Sequence, residues 1–170
     1  MNTMQEVMID KVVVNIGVGQ TGDRVNKAMK VIEMVTERKP TPTAAKKSVR
    51  EFNVRPGMTI GTKVTLRKES AFTFLKKAFY AKDFKIATYS FDKQGNAYFG
   101  IPDYTEFEGM KYDPEIGIFG LDVAVVLKRK GGYRVRRRRI ESKGLPATMK
   151  ISKEESMKFL EENFKVNIIR

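Results

Sequence analysis

Residues 46–67, KKSVREFNVRPGMTIGTKVTLR, hold six cations (Lys46, Lys47, Arg50, Arg55, Lys63 and Arg67) and a single acid, Glu51. Ammonium and guanidinium groups at this density suit one kind of chemistry, charge-assisted hydrogen bonding to phosphate oxygens. The spacing adds a second property. Ile60, Val64 and Leu66 fall on one face of an extended strand, with Lys63, Thr65 and Arg67 on the other. Such a strand buries aliphatics on one side and offers cations on the other. It points to a sheet that binds nucleic acid more than to an enzyme active site.

A second cationic run, KRKGGYRVRRRR at residues 128–139, carries Lys128, Arg129, Lys130, Arg134, Arg136, Arg137, Arg138 and Arg139. Charge runs are usually solvated faces. This one lies between a strand and a helix, Gly131-Gly132 can turn a hairpin, and cations fall on both sides of any strand it forms. A binding arm is the preferred reading, because neutralising these groups with phosphate releases counterions and gives salt-dependent affinity. Tyr133 could stack on a base there.

Gly17-Val-Gly19-Gln-Thr-Gly22 matches the G-x-G-x-x-G pattern that places a pyrophosphate at a helix N-terminus. About 20 residues further on, Glu33 and Glu37 belong to a helix instead of the end of a second parallel strand, and RKPTPTAAKK replaces the crossover. A glycine turn, with backbone N–H groups left for an RNA phosphate, is therefore preferred. A nucleotide-binding enzyme using Gly17 to Gly22 stays as the alternative. The acids Asp103, Glu106, Glu108, Asp113 and Glu115 lack calcium-loop spacing and read as a solvated loop, with contact to a basic protein as second choice. Phe72, Phe74, Phe79, Tyr80, Phe84 and Tyr89 could form a base-stacking platform, but helical spacing assigns most of them to the core. The nine methionines read as core filler.

Composition narrows the chemistry. The chain has 170 residues, 33 Lys and Arg against 20 Asp and Glu, and a net charge of +13, a field that attracts polyanions. It has no Cys and no His, which removes disulfides, Cys/His zinc sites, thiol nucleophiles and imidazole acid–base catalysis. No metal, cofactor or small-molecule substrate is expected. The N-terminus lacks the layout of a signal peptide and no apolar run is long enough to span a membrane, so a soluble intracellular protein with no membrane partner is expected.

The elements that must position these groups follow from periodicity. A strand is predicted over 10–18, a helix over 23–38 stopped by Pro40 and Pro42, and a turn at Arg55-Pro56-Gly57 between two strands. Ser70 is the predicted N-cap of a second helix with Phe72, Leu75 and Phe79 in its stripe. Strands are predicted over 86–91 and 97–101 around a hairpin turn at 92–96, and a further strand over 119–128. Ser152 and Glu155 form a capping box for a last helix with Met157, Leu160 and Phe164 buried. The expectation is one α+β domain spanning residues 1–170, an antiparallel sheet with helices packed on one face and a basic loop or hairpin extension. Its open face would show Asn15, Lys63, Thr65 and Arg67.

KKSVREFNVRPGMTIGTKVTLR, together with VVVNIGVG, SFDKQGNAYFGI and GLDVAVV, resembles the ribosomal protein L-five family, the fifth protein of the large subunit. The likeness covers residues 9–126 in several ordered blocks, and NIGVG matches that family's strand-to-helix turn. The resemblance implies a non-catalytic, cytoplasmic ribosomal protein of the central protuberance, one that attaches 5S rRNA to the subunit and contacts large-subunit rRNA. It also implies contacts with small-subunit ribosomal protein thirteen and with the elbow of peptidyl-site tRNA. The tRNA-facing loop corresponds to residues 52–61, with Arg55, Pro56, Gly57 and Met58 at its tip and Thr59 following. The 5S-facing surface would include Asn15, Lys47, Arg50, Lys63, Thr65 and Arg67. The chain lacks most of the bacterial N-terminal helical extension. Met58-Thr59 replaces an aromatic–Pro pair, and the basic arm over 128–145 resembles an archaeal or eukaryotic-type addition.

Overall fold

The computed structural model describes residues 3–131, 139–141, 144–146 and 149–169. Five strands form one antiparallel sheet in the order β2 (Thr41–Ala44), β3 (Thr59–Leu66), β1 (Val7–Gly17), β6 (Leu121–Arg129), β5 (Ala97–Ile101). The period of two along these strands sends Val12, Val14, Ile16, Val64, Leu66, Leu121, Val123, Val125, Ala97, Phe99 and Ile101 to one side, where all are buried. Helices α1 (Asp23–Thr36), α2 (Lys68–Ala81) and α3 (Lys153–Phe164) supply the rest of that core through Ala28, Val31, Ile32, Phe74, Leu75, Phe79, Leu160 and Phe164. Phe79 meets Phe99 at 5.4 Å and Phe164 at 5.1 Å between ring centroids, so one ring ties α2 to β5 and α3. The expected α+β architecture is present.

A second, two-stranded parallel sheet pairs β4 (Lys85–Ala87) with β7 (Asn167–Ile169). It has no counterpart among the expected elements. The strand expected over 86–91 is cut short: β4 gives way to a turn of 3-10 helix, Thr88–Ser90, and Phe91 keeps only an isolated bridge to Ala97. The turn at 92–96 is present. There the Asp92 carboxylate accepts from the backbone N–H groups of Gln94 (2.8 Å) and Asn96 (2.9 Å) and from the Asn96 amide (2.9 Å).

Three further differences have clear causes. Ser70 is not a cap, because α2 begins at Lys68 with Arg67 in the extended cap position, and Ser70 accepts a hydrogen bond from Arg38 instead. Pro42 sits inside β2, which is tolerated because β2 is an edge strand paired only with β3. None of the described methionines is fully buried: Met110 and Met157 are half-buried against the core, Met4 and Met34 are 58% and 40% exposed, and the aliphatics and phenylalanines above fill most of the core instead. The capping box at Ser152 is formed as expected, with both reciprocal hydrogen bonds to Glu155.

Candidate nucleic-acid interface

The face of the sheet turned away from the helices is built from the alternate residues of each strand. Register places Thr41, Lys63, Asn15, Asp122 and Gly100 in one row across all five strands. The next row reads Thr65, Val13, Ala124 and Tyr98. Side chains directly opposite one another stand about 4.5–5.5 Å apart at Cβ. Asn15 therefore lies between Lys63 and Asp122, whose strands are roughly 9.5 Å apart, and these two form no ion pair with each other. Lys63, Thr65 and Arg67 are exposed and Asn15 is half-buried. The strand alternation read from sequence thus brings all four to one surface.

Arg67 is oriented by a residue that the sequence pattern did not single out. The pairing of β1 with β6 shifts register between Ile9 and Lys11, a β-bulge that leaves Asp10 as the extra residue. The Asp10 carboxylate takes Arg67 at 3.5 Å and Lys128 at 2.7 Å, and the Asp10 carbonyl accepts from Arg67 at 3.3 Å. Such a bulge follows from how two distant strands meet, and nothing in the local sequence announces it. Next to this row, a groove of about 600 Å³ is lined by Arg38, Lys39, Thr41, Lys63, Arg67 and Ser70 among others. Arg38 and Lys39, which end the α1 segment, escaped the sequence reading because they follow a helix instead of alternating along a strand.

The loop between β2 and β3 carries Lys46, Lys47 and Arg50, all exposed. Its base is closed by Ala45 N–H to the Met58 carbonyl (2.8 Å) and Gly57 N–H to the Ala45 carbonyl (3.0 Å). Further out, Val49 and Val54 exchange hydrogen bonds at 2.9 and 3.1 Å, so in ladder order the outermost turn is residues 50–53, with Phe52 66% exposed. Residues 55–58 make a separate turn beside the base, closed by Met58 N–H to the Arg55 carbonyl at 3.2 Å. Arg55, Pro56 and Gly57 are exposed there, Met58 is half-buried, and Gly57 adopts a left-handed φ of 88°. Thr59 already belongs to β3, so the loop ends at residue 58, three residues short of the boundary at 61.

The second basic run begins quite differently. Arg129 is 13% exposed; it donates through Nη2 to both Glu155 carboxylate oxygens at 2.8 Å and through Nη1 to the Gln5 carbonyl at 2.7 Å. Burial pushes the Glu155 carboxyl up, but the Ser152 N–H and the Arg129 and Lys158 cations outweigh it and hold the group below its ordinary value. Lys130 pairs with Glu6 and Lys128 with Asp10. Each of these three cations thus has a carboxylate partner in the protein, Arg129 largely buried and Lys130 still 43% exposed. Arg139 is exposed, whereas Tyr133, Arg134, Arg136, Arg137 and Arg138 lie outside the described residues.

The glycine segment after β1 is a turn. The N–H groups of Val18 and Gly19 both donate to the Ile60 carbonyl, at 3.0 and 2.9 Å, so neither is left for a phosphate. β1 is flanked by antiparallel neighbours on both sides, which removes the crevice a dinucleotide needs. In the acidic segment, Asp103 accepts from the Thr105 N–H at 3.1 Å and Asp113 from the Glu115 N–H at 2.9 Å. Among the described residues no cluster of acids could hold a metal ion, and no helix is long and apolar enough to cross a membrane.

Comparison with known proteins agrees with this arrangement. The chain matches ribosomal protein L5 over residues 2–55 and the C-terminus of the same ribosomal family over residues 59–159. The chain belongs to the ribosomal protein L5 family. It is 65% identical to the large ribosomal subunit protein uL5 of Thermoplasma volcanium and to that of Thermoplasma acidophilum, in each case over 170 residues and the full length of both chains. It is 46% identical to the uL5 protein of Sulfolobus acidocaldarius over 168 residues, covering 99% of this chain and 94% of the other. As a member of this L5 family the chain is a protein of the large ribosomal subunit, with rRNA as its partner and translation as its setting. The basic segment at 128–145 lies within the length shared with the Thermoplasma proteins.

Proposed function

We propose that the chain, acting as one RNA-binding unit, holds 5S rRNA against the open face of its sheet and so helps attach it to large-subunit rRNA. The observation that carries this reading is the row Lys63–Asn15 with Thr65 and Arg67 beside it: exposed cations interleaved with short side chains that donate and accept hydrogen bonds. Lys63 and Arg67 take phosphate oxygens, and Arg67 is held in place by Asp10, so less freedom is lost on binding. Asn15 and Thr65 offer groups for ribose hydroxyls, the feature that marks RNA in a wide, shallow minor groove. Lys46, Lys47 and Arg50 extend the cationic surface along the loop, and the groove beside Arg38 extends it around the sheet edge. The chemistry is binding by shape and charge, with no catalytic step and no cofactor.

The other contacts belong to the same proposal. The turn at Arg55, Pro56, Gly57 and Met58 faces peptidyl-site tRNA, supported by its exposure and its separation from the sheet face. The acidic segment around Asp103 to Glu115 has the sign that suits a basic protein of the small subunit such as protein thirteen. Arg134, Arg136, Arg137, Arg138 and Arg139 bind rRNA phosphates as an arm.

The test is affinity for 5S rRNA across a salt series, against a random duplex of equal length. A preference of about 10³-fold or more, typical of specific nucleic-acid binding, is the expected result. Equal affinities with the same steep salt slope would mean that only charge is read, and would remove 5S rRNA as the ligand.

A further inference from the structure

The aromatic residues of the α2 region divide into two groups. Phe74 and Phe79 are buried and Phe72 packs on Phe164 at 4.8 Å, which accounts for half of the possible stacking platform as core. Tyr80, Phe84 and Tyr89 are not core: they are 55%, 38% and 88% exposed. Tyr80 and Phe84 stand edge to face with centroids 6.4 Å apart, and Tyr89 lies at the far end of the short strand β4. α2 turns Ala71, Leu75 and Ala78 toward the sheet, so its exposed ring lies on the outer side of the helical layer. That side is opposite the face proposed for 5S rRNA.

The backbone beneath Phe84 is an independent sign. Asp83 and Phe84 have consecutive left-handed φ values of 53° and 55°. For a bulky aromatic this is a conformational outlier, and glycine would make the same turn without the steric conflict. The geometry is held by Phe84 N–H to the Phe79 carbonyl at 2.8 Å and by Asn167 N–H to the Phe84 carbonyl at 2.6 Å. A strained position that keeps a large ring at the surface points to use of that ring. The surrounding charge suits an anionic partner: residues 76–89 contain four lysines against one acid, Asp83. Although Lys77 is paired with Glu37 at 3.2 Å and Lys76 lies over the Phe72 ring at 4.9 Å, Lys82 and Lys85 flank Phe84 with no ion pair among the described residues.

We infer that Tyr80, Phe84 and Tyr89 form a second RNA site, a stacking platform for unpaired bases of folded rRNA, on the side of the protein opposite the sheet face. Rings take the exposed bases and the lysines take the flanking phosphates, the combination that binds single-stranded RNA with little sequence preference. The site adds to the proposed 5S rRNA contact and rests only on rRNA being the partner. A protein wedged between two RNA segments in this way joins them, which one binding face alone cannot do.

The test uses the full-length chain and a single-stranded RNA 12-mer carrying 2-aminopurine, whose fluorescence is quenched when it stacks on an aromatic ring. Tyr80→Ala and Phe84→Gly should each weaken binding by about five-fold or more, the low end for one lost base stack, and should reduce the quench. Phe84→Gly should melt far less below the parent than a core truncation such as Phe79→Ala, because glycine relieves the left-handed strain and so offsets part of the lost packing. Lys63→Ala with Arg67→Ala should leave the oligonucleotide quench intact, and saturation with 5S rRNA should not displace the oligonucleotide. Unchanged affinity and quench in both aromatic variants would overturn the inference. So would a melting temperature lowered by Phe84→Gly as by loss of a core residue, or displacement of the oligonucleotide by 5S rRNA. Failure of 5S rRNA to bind at all would instead overturn the sheet-face reading and leave the quench test standing.

Discussion

The two basic regions contain the same residue types and meet opposite fates. On β3 and its loop, none of Lys46, Lys47, Arg50, Arg55 and Lys63 forms an ion pair among the described residues, and Arg67 has only long contacts to Asp10, 3.5 Å to its carboxylate and 3.3 Å to its carbonyl. At the end of β6, Lys128, Arg129 and Lys130 are each matched to a carboxylate, Asp10, Glu155 and Glu6 respectively. The difference lies in position in the fold. β3 leaves the sheet toward an open loop, whereas the end of β6 runs between the N-terminal strand and α3, where carboxylates from two other segments meet it. A cation that must be desolvated by packing needs an internal partner. One left in water stays available to a phosphate. Density of positive charge in sequence therefore marks where binding is possible, and the fold decides which charges remain for it.

The largest effect that separates the two regions should come from Arg129→Ala. Losing the bidentate pair and the bond to Gln5 should lower unfolding stability by about 2–3 kcal/mol, from hydrogen bonds to charged groups, while leaving the salt slope of 5S rRNA binding nearly unchanged. Urea denaturation and a salt titration read the two quantities. A stable variant with a shallower slope would place Arg129 in the interface and erase the contrast. Lys63→Ala with Arg67→Ala should do the reverse. Affinity for 5S rRNA should fall and the salt slope should drop by about 1.5–2, close to one for each phosphate no longer neutralised, with stability within about 0.5 kcal/mol of the parent, as for most surface changes. No change in affinity or slope would take both residues out of the interface.

Glu155→Gln sharpens the comparison through pH. The folded-state carboxyl lies below its ordinary value of 4.5, so its contribution is fully present above that value and is lost as pH falls through the folded one. The parent should therefore be more stable than Glu155→Gln at neutral pH, with the gap closing in more acidic solution below about pH 4.5. A gap independent of pH would mean that the carboxylate charge adds nothing beyond shape. The smallest effect is expected at Met58→Ala, in a turn set apart from the sheet face. Affinity for 5S rRNA should be unaltered, and a large loss would move that turn into the 5S surface.

Much of the layout of the proposed interface was legible because a strand has a period of two. Asn15, Lys63, Thr65 and Arg67 share a face for the same reason that Val14, Val64 and Leu66 share the other, and the ordered blocks of family resemblance located them on the right strands. The capping box at Ser152 and the turn at Asp92 were equally local, since each is closed by groups within four residues of its start. What could not be read were features that arise when distant segments meet. The Asp10 bulge exists because β1 and β6 pair out of step, and Glu155 holds Arg129 across 26 residues. β7 forms only because β4 lies ready to receive it. Tyr80 shows the same limit, since helical spacing could not say which ring of an aromatic-rich helix would face the core, and Phe84 falls in the turn beyond that helix.

Taken alone, the sequence determined the excess of positive charge, the absence of thiol and imidazole chemistry, the alternation that separates core from open face, and the family. These depend on composition and on short-range periodicity, which the chain carries whatever its tertiary partners. Tertiary structure decided which cations remain in water, which glycine N–H groups are consumed by a neighbouring carbonyl, and which aromatic rings reach the surface. The reason is desolvation: a charge, an N–H group or a ring acquires its role from what removes it from water, and the groups that do so lie far away along the chain.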